Sequence, residues 1–65
     1  MKLQINGESR ETAAREIAAL VTELGLPERA VLVEHNGVAL RREEWAGRTL
    51  AEGDVLEIIR IVAGG

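Results

Sequence analysis

The run Val55-Leu56-Glu57-Ile58-Ile59-Arg60-Ile61-Val62 does most to constrain what this chain can fold into. It is Val, Ile and Leu at all but two positions, a composition that suits a central strand buried on at least one face. Ala63, Gly64 and Gly65 then remove bulk step by step. Glycine has no Cβ, so Gly64 and Gly65 can pass through a channel too narrow for other residues. Chain ends are commonly rich in small residues, so a Gly-Gly end alone is a weak signal. Its weight here comes from the core-grade strand that feeds it. The α-carboxylate of Gly65 sits on a thin lead behind a stiff strand, which suits a protein whose own carboxyl end is the group acted upon. These features predict a folded domain over residues 1–62 and a flexible tail over 63–65.

At 65 residues the chain is long enough for one domain, near the lower limit for folding without staples. It has no cysteine and one histidine, so neither disulfides nor a metal site is expected. Trp45 is the only aromatic residue, and stability must come from dense aliphatic packing. A net charge of −3 with no basic patch argues against nucleic acid as a partner. No apolar run approaches the roughly 18 residues of a membrane span, and no signal peptide precedes Leu3. A cytoplasmic protein, monomeric when alone, is the expectation.

Lys2 to Asn6 alternates polar and apolar, placing Leu3 and Ile5 on one buried face of a strand. Asn6-Gly7 is a favoured two-residue hairpin turn. Glu8 to Glu11 would return as a charged edge strand, which discourages aggregation. Thr12 can cap a helix over about Ala13 to Leu24, with Ile17, Leu20, Val21 and Leu24 forming its apolar stripe. Gly25 ends that helix and Pro27 prevents its resumption. Ala30 to His35 reads as a third strand, Asn36-Gly37 as a second hairpin turn, and Val38 to Leu40 as the return. The polar stretch from Arg41 to Gly47 is expected to form an irregular or 3₁₀ turn around Trp45. Glu52-Gly53-Asp54 launches the last strand. A helix after a hairpin implies a crossover that brings a later strand parallel to the first. The expected fold is therefore α+β: a four- to five-stranded mixed sheet with one helix across one face, and strand 55–62 at its centre.

Nothing in this chain assembles a catalytic site. His35 has no Cys or Ser partner to activate and is expected to be structural, at the surface or half-buried. Glu43-Glu44 reads as a solvated pair, and Arg41-Arg42 as solvated or in contact with an acidic partner. Trp45 is expected to close the end of the core, with its N–H on a backbone carbonyl. On the last strand, Leu56 and Ile58 would face the helix. Val55, Glu57, Ile59 and Ile61 would then share the other face, for which no second helix is available. Ile59, Ile61 and the adjoining Val62 are accordingly expected to dock a partner protein; the alternative is a bulge that buries one of the isoleucines.

The hairpin–helix–hairpin order, the turn Leu50-Ala51-Glu52-Gly53-Asp54 and the Gly64-Gly65 end resemble the ubiquitin-like β-grasp sulfur carriers. Within these, Val33-Glu34-His35-Asn36-Gly37, Arg42-Glu43-Glu44-Trp45 and the final Ile61-Val62-Ala63-Gly64-Gly65 are similar to the ThiS-type carriers of thiamin thiazole synthesis. The resemblance spans the whole chain. One departure is Arg41, where family members often have Pro. The resemblance implies a single β-grasp domain that is not itself an enzyme and binds no cofactor. A ThiF-like adenylyltransferase would use ATP to adenylate Gly65. Sulfur would then be carried as a Gly65 thiocarboxylate to a ThiG-like thiazole synthase, with Gly64 and Ala63 threading the partner's channel. The small subunit of molybdopterin synthase, a carrier for tRNA thiolation and a ubiquitin-like protein modifier share the same kind of tail and stand as alternatives.

Overall fold

Both Asn-Gly pairs form turns in which asparagine and glycine take positive φ: 51° and 82° at Asn6-Gly7, 51° and 85° at Asn36-Gly37. This is the backbone of a type I′ hairpin, whose twist matches that of the strands it joins. The computed structural model describes residues 1–62. The first turn joins β1 (Lys2–Ile5) to β2 (Glu8–Glu11), and the second joins β3 (Val31–His35) to β4 (Val38–Leu40). The last strand, β5 (Val55–Arg60), lies between the hairpins, giving the sheet order β2-β1-β5-β3-β4. It runs parallel to β1, with Gln4 opposite Val55, and antiparallel to β3, with Val33 opposite Ile58. The predicted mixed sheet, with the final strand central and parallel to the first, is what forms.

One helix, α1 (Ile17–Glu23), crosses one face of the sheet. Its residues Ile17, Leu20 and Val21 are fully buried in one cluster with Leu3, Val33 and Leu56, and Leu24 packs partly buried at the edge. Helix exit follows the sequence closely. Gly25 has φ 72°, its N–H donates to the Thr22 carbonyl at 3.0 Å, and the Leu26 N–H donates to that of Val21 at 3.1 Å. That pair of bonds is a Schellman motif, which requires a left-handed residue at this position.

Helix entry does not follow the expectation. The helix begins at Ile17 rather than Ala13, and Thr12 is not its cap. Residues on either side of Glu16 pair instead with the loop before β5: Leu50 N–H donates to the Arg15 carbonyl at 2.9 Å, and Glu16 bridges Thr49. Extended pairing excludes helical φ/ψ there, and Glu16 has φ −138° and ψ 160°. The Thr12 hydroxyl is occupied elsewhere. It accepts from the Ala14 N–H at 2.9 Å and donates to Glu23 Oε2 at 2.7 Å, tying the end of β2 to the last turn of the helix.

Two strand ends also shift. Ala30 belongs to a 3₁₀ turn over Glu28–Ala30, in which its N–H donates to the Pro27 carbonyl at 2.9 Å. With β3 starting at Val31, opposite Arg60, pairing runs out and β5 stops at Arg60 instead of Val62. Ile61 keeps a single bond, its N–H donating to the Ala30 carbonyl at 2.7 Å.

Trp45 closes the core from a second 3₁₀ turn, Arg42–Glu44, and is 1% exposed. The Arg42 guanidinium lies over its ring, 4.6 Å from the centroid, and also pairs with Glu28 at 2.8 Å. Arg42 is therefore engaged within the chain rather than left free. Glu44 is also engaged, its carboxylate accepting the Arg41 N–H at 2.7 Å as a local cap. The indole Nε1 has no hydrogen-bond partner, so the expected carbonyl contact is absent. Burying an indole removes roughly 150–250 Å² from water, about 4–6 kcal/mol at the usual coefficient, which outweighs the roughly 1–3 kcal/mol cost of an unpaired N–H. Among the described residues, no helix is long and apolar enough to cross a membrane.

Candidate functional site

The strand that leads to the chain end is held from both sides by the turn asparagines. The Asn36 N–H donates to the Val55 carbonyl at 2.8 Å, and its Oδ1 accepts the Val55 N–H at 2.9 Å. On the other flank, β1 has already turned away when β5 reaches Ile58. There the Asn6 side chain replaces the missing strand residue: Oδ1 accepts the Ile58 N–H at 2.8 Å and Nδ2 donates to the Ile58 carbonyl at 3.0 Å. These residues were legible as turn formers, but their second role was not, because nothing in a single sequence pairs Asn6 with Ile58.

At the start of β5, Asp54 gathers the surrounding loops. Its Oδ2 accepts from His35 Nε2 at 2.7 Å and from the Ala51 N–H at 2.9 Å, and its Oδ1 accepts from Asn36 Nδ2 at 3.1 Å. Partial burial pushes the Asp54 carboxyl up. The bonds from His35, Ala51 and Asn36, with the attraction of His35, outweigh this and hold it below the ordinary carboxylate value.

His35 is buried, 6% exposed, rather than at the surface or half-buried. Arg48 Nε donates to its Nδ1 at 3.1 Å, which leaves Nε2 as the protonated nitrogen that donates to Asp54. An Asp–His pair normally signals an activated nucleophile. Here the second ring nitrogen is occupied by an arginine, and Ser9, the only serine, lies on β2 with β1 and β5 between it and His35. The cluster is a structural tie, as expected for His35 despite its deeper burial.

Toward the chain end, the face of the sheet away from the helix is uncovered. Ile59 is 57% exposed, Ile61 47% and Val62 80%. No bulge interrupts the pairing of β5 with β3, so neither isoleucine is turned into the core. Leu32, which sequence reasoning did not single out, is 55% exposed and lies directly opposite Ile59. Alternation along Val31–Val33 already put Leu32 outside; only the register could place it beside Ile59. Ala63, Gly64 and Gly65, singled out as the threading and reacting residues, lie outside the described residues. A shallow hollow of about 320 Å³ lined by Lys2, Gln4, Ser9 and Glu52 lies by the opposite end of β5. Among the described residues, no group of His, Asp or Glu is placed to hold a metal ion.

The chain matches the model of the ThiS family over residues 3–65. It is 31% identical to a sulfur carrier protein ThiS of Thermus thermophilus, over 94% of this chain and 95% of that protein. It is 41% identical, over its full length, to part of a thiazole synthase of Paramagnetospirillum magneticum, of which it spans only 20%. Its fold matches the crystal structure of a thiamine biosynthesis protein (ThiS) from Geobacter metallireducens, with TM-score 0.83, 29% identity and full coverage of both chains. The solution structure of a protein from that organism matches with TM-score 0.81 and 32% identity, covering all of this chain and 88% of the other. With an almost full-length family match and a carrier of its own size among its relatives, the chain belongs to the ThiS family of β-grasp sulfur carriers.

Proposed function

We propose that this chain carries sulfur on its C-terminal glycine for thiamin thiazole synthesis. The observation that carries the reading is the family match, which runs through to Gly65. Sheet geometry supports it. β5 is fixed by β1, β3 and both asparagine clamps, so Ile61 follows directly from a strand held along both edges.

The chemistry follows from the weakness of a carboxylate as an electrophile. A ThiF-like adenylyltransferase binds ATP, and a Gly65 carboxylate oxygen attacks the α-phosphorus with loss of pyrophosphate. Sulfide-level sulfur (HS⁻) then attacks the carbonyl carbon of the acyl-adenylate, the acyl C–O bond breaks as AMP leaves, and loss of the sulfur's proton leaves a thiocarboxylate. Catalysis belongs to the partners, and this chain presents the reacting end. Ala63 and Gly64 thread the partner's channel, while Ile59, Ile61 and Val62, with Leu32, dock it. A thiazole synthase as sulfur acceptor is supported by the relative of that name, within which a segment like this chain occurs.

The test is mass spectrometry of the C-terminal peptide after incubation with the adenylyltransferase, ATP and a sulfur donor. The parent gains the mass difference of one oxygen-to-sulfur replacement. Deleting Gly65 draws the carboxylate back by about 3.3–3.6 Å, out of in-line range, where a misplacement of even ~1 Å can cost on the order of 10²-fold in rate. Thiocarboxylate formation on the deletion variant at the parent's rate would refute the mechanism.

A further inference from the structure

We propose that Asn6-Gly7 and Asn36-Gly37 are latent deamidation sites, held unreactive by the same bonds that fasten β5. Conversion at either turn then follows opening of the strand and prevents its re-fastening. The proposal stands apart from the carrier reading and concerns the lifetime of the fold.

The chain has two asparagines, and glycine follows both. Glycine has no Cβ to shield its amide, and a Cβ built at Gly7 or Gly37 would meet no atom within 4 Å. In this dipeptide the glycine nitrogen, once deprotonated by hydroxide, attacks the asparagine Cγ. The new C–N bond closes a succinimide ring, and the side-chain nitrogen leaves with its bonding pair as ammonia, taking a proton from water. Water then adds to one of the two ring carbonyls. One opening gives aspartate; the other gives isoaspartate, whose main chain runs through Cβ and Cγ and is one atom longer. The net change is one water consumed and one ammonia released.

Both side chains are tied down away from that path. Asn6 gives its Oδ1 to the Ile58 N–H at 2.8 Å and its Nδ2 to the Ile58 carbonyl at 3.0 Å. Asn36 accepts from the Val55 N–H at 2.9 Å and donates to Asp54 Oδ1 at 3.1 Å. Each amide is thereby held toward β5 or the loop that leads into it, and swinging onto the glycine nitrogen gives up both bonds.

Conversion also turns each clamp into a repulsion. At Asn6 the donating nitrogen becomes a carboxylate oxygen, so that acceptor faces acceptor at the Ile58 carbonyl. At Asn36 the new oxygen stands where Nδ2 lies 3.1 Å from Asp54, carboxylate against carboxylate. In isoaspartate the extra main-chain atom breaks the two-residue type I′ geometry as well. A chain that has opened and converted cannot close the same clamp again.

The experiment ages the full-length parent at mildly alkaline pH, once native and once unfolded in urea, and follows both turns by mass spectrometry. Trypsin separates them as the peptides Leu3–Arg10 and Ala30–Arg41, and replacement of NH₂ by OH marks conversion. We expect each native turn to convert about tenfold or more slowly than in the unfolded chain, because two bonds must open first. Equal native and unfolded rates overturn the gating. Converted chains carry one more negative charge and are isolated by ion exchange. Hydrogen exchange should quicken at the Ile58 amide after conversion of Asn6, and at the Val55 amide after conversion of Asn36. Protection there equal to the parent's overturns the release of β5. Asn36→Asp supplies the direct product without ageing and should melt below the parent; an unchanged melting temperature overturns the repulsion with Asp54.

Discussion

Replacing Leu20 by Ala tests whether the single helix and the central strand share one core. Leu20 is 0% exposed, in the middle of α1, in the cluster that holds Leu3, Leu56 and Ile58. Truncation removes three carbons and leaves a cavity in a core with only one helix to collapse into it. Comparable substitutions cost ~2–5 kcal/mol, and full burial places Leu20 at about 3 or above. At roughly 0.05–0.15 kcal/mol per residue, a domain this small holds only about 3–10 kcal/mol in total. The variant therefore loses a third or more of its stability. At about 4–8 °C per kcal/mol for small domains, the melting temperature falls by roughly 12–24 °C. Ile59→Thr is the control. It keeps β-branching on a residue 57% exposed, so it forfeits only part of the ~1.5–3 kcal/mol of a fully buried side chain, about 1 kcal/mol or less. Thermal melts followed by far-ultraviolet circular dichroism report both. A Leu20→Ala shift no larger than that of Ile59→Thr would refute the packing argument.

Asp54→Asn should cost about 1.5–3 kcal/mol at neutral pH, because it removes the charge from the bond to His35. The Asp54 carboxyl is depressed in the fold, so its contribution is complete above the unfolded value near 3.9 and is lost as pH falls through the lower folded value. Urea midpoints of parent and variant should accordingly converge in acid, and a constant difference down to low pH would reject the assignment. Asn6→Gly keeps the turn's positive φ but deletes the clamp on Ile58. It should cost ~1–3 kcal/mol and speed hydrogen exchange at the Ile58 amide; unchanged protection there would show that the clamp does not hold the strand.

Much of the fold was legible because it is encoded locally. The Asn-Gly pairs, the Gly25 stop and the spacing of Ile17, Leu20 and Val21 act within a few residues of themselves. Each points to the same sheet-and-helix arrangement, and once a crossover is required the final strand has one central place to occupy. The start of the helix was misread for the opposite reason. Thr12 followed by a helix-forming run reads locally as an N-terminus, yet pairing of Arg15 and Glu16 with Thr49 and Leu50 overrides it from more than thirty residues away.

Period-2 alternation, legible without any structure, separates Leu56 and Ile58 from Glu57 and Ile59 onto opposite faces of the last strand whatever it pairs with. Tertiary structure alone decided who stands next to whom. The burial of His35 between Asp54 and Arg48, the grip of Asn6 on Ile58, and the placing of Leu32 beside Ile59 and Glu34 beside Glu57 all depend on register. Register joins residues far apart in the chain, and a shift of one position would have turned the same side chains to the opposite face.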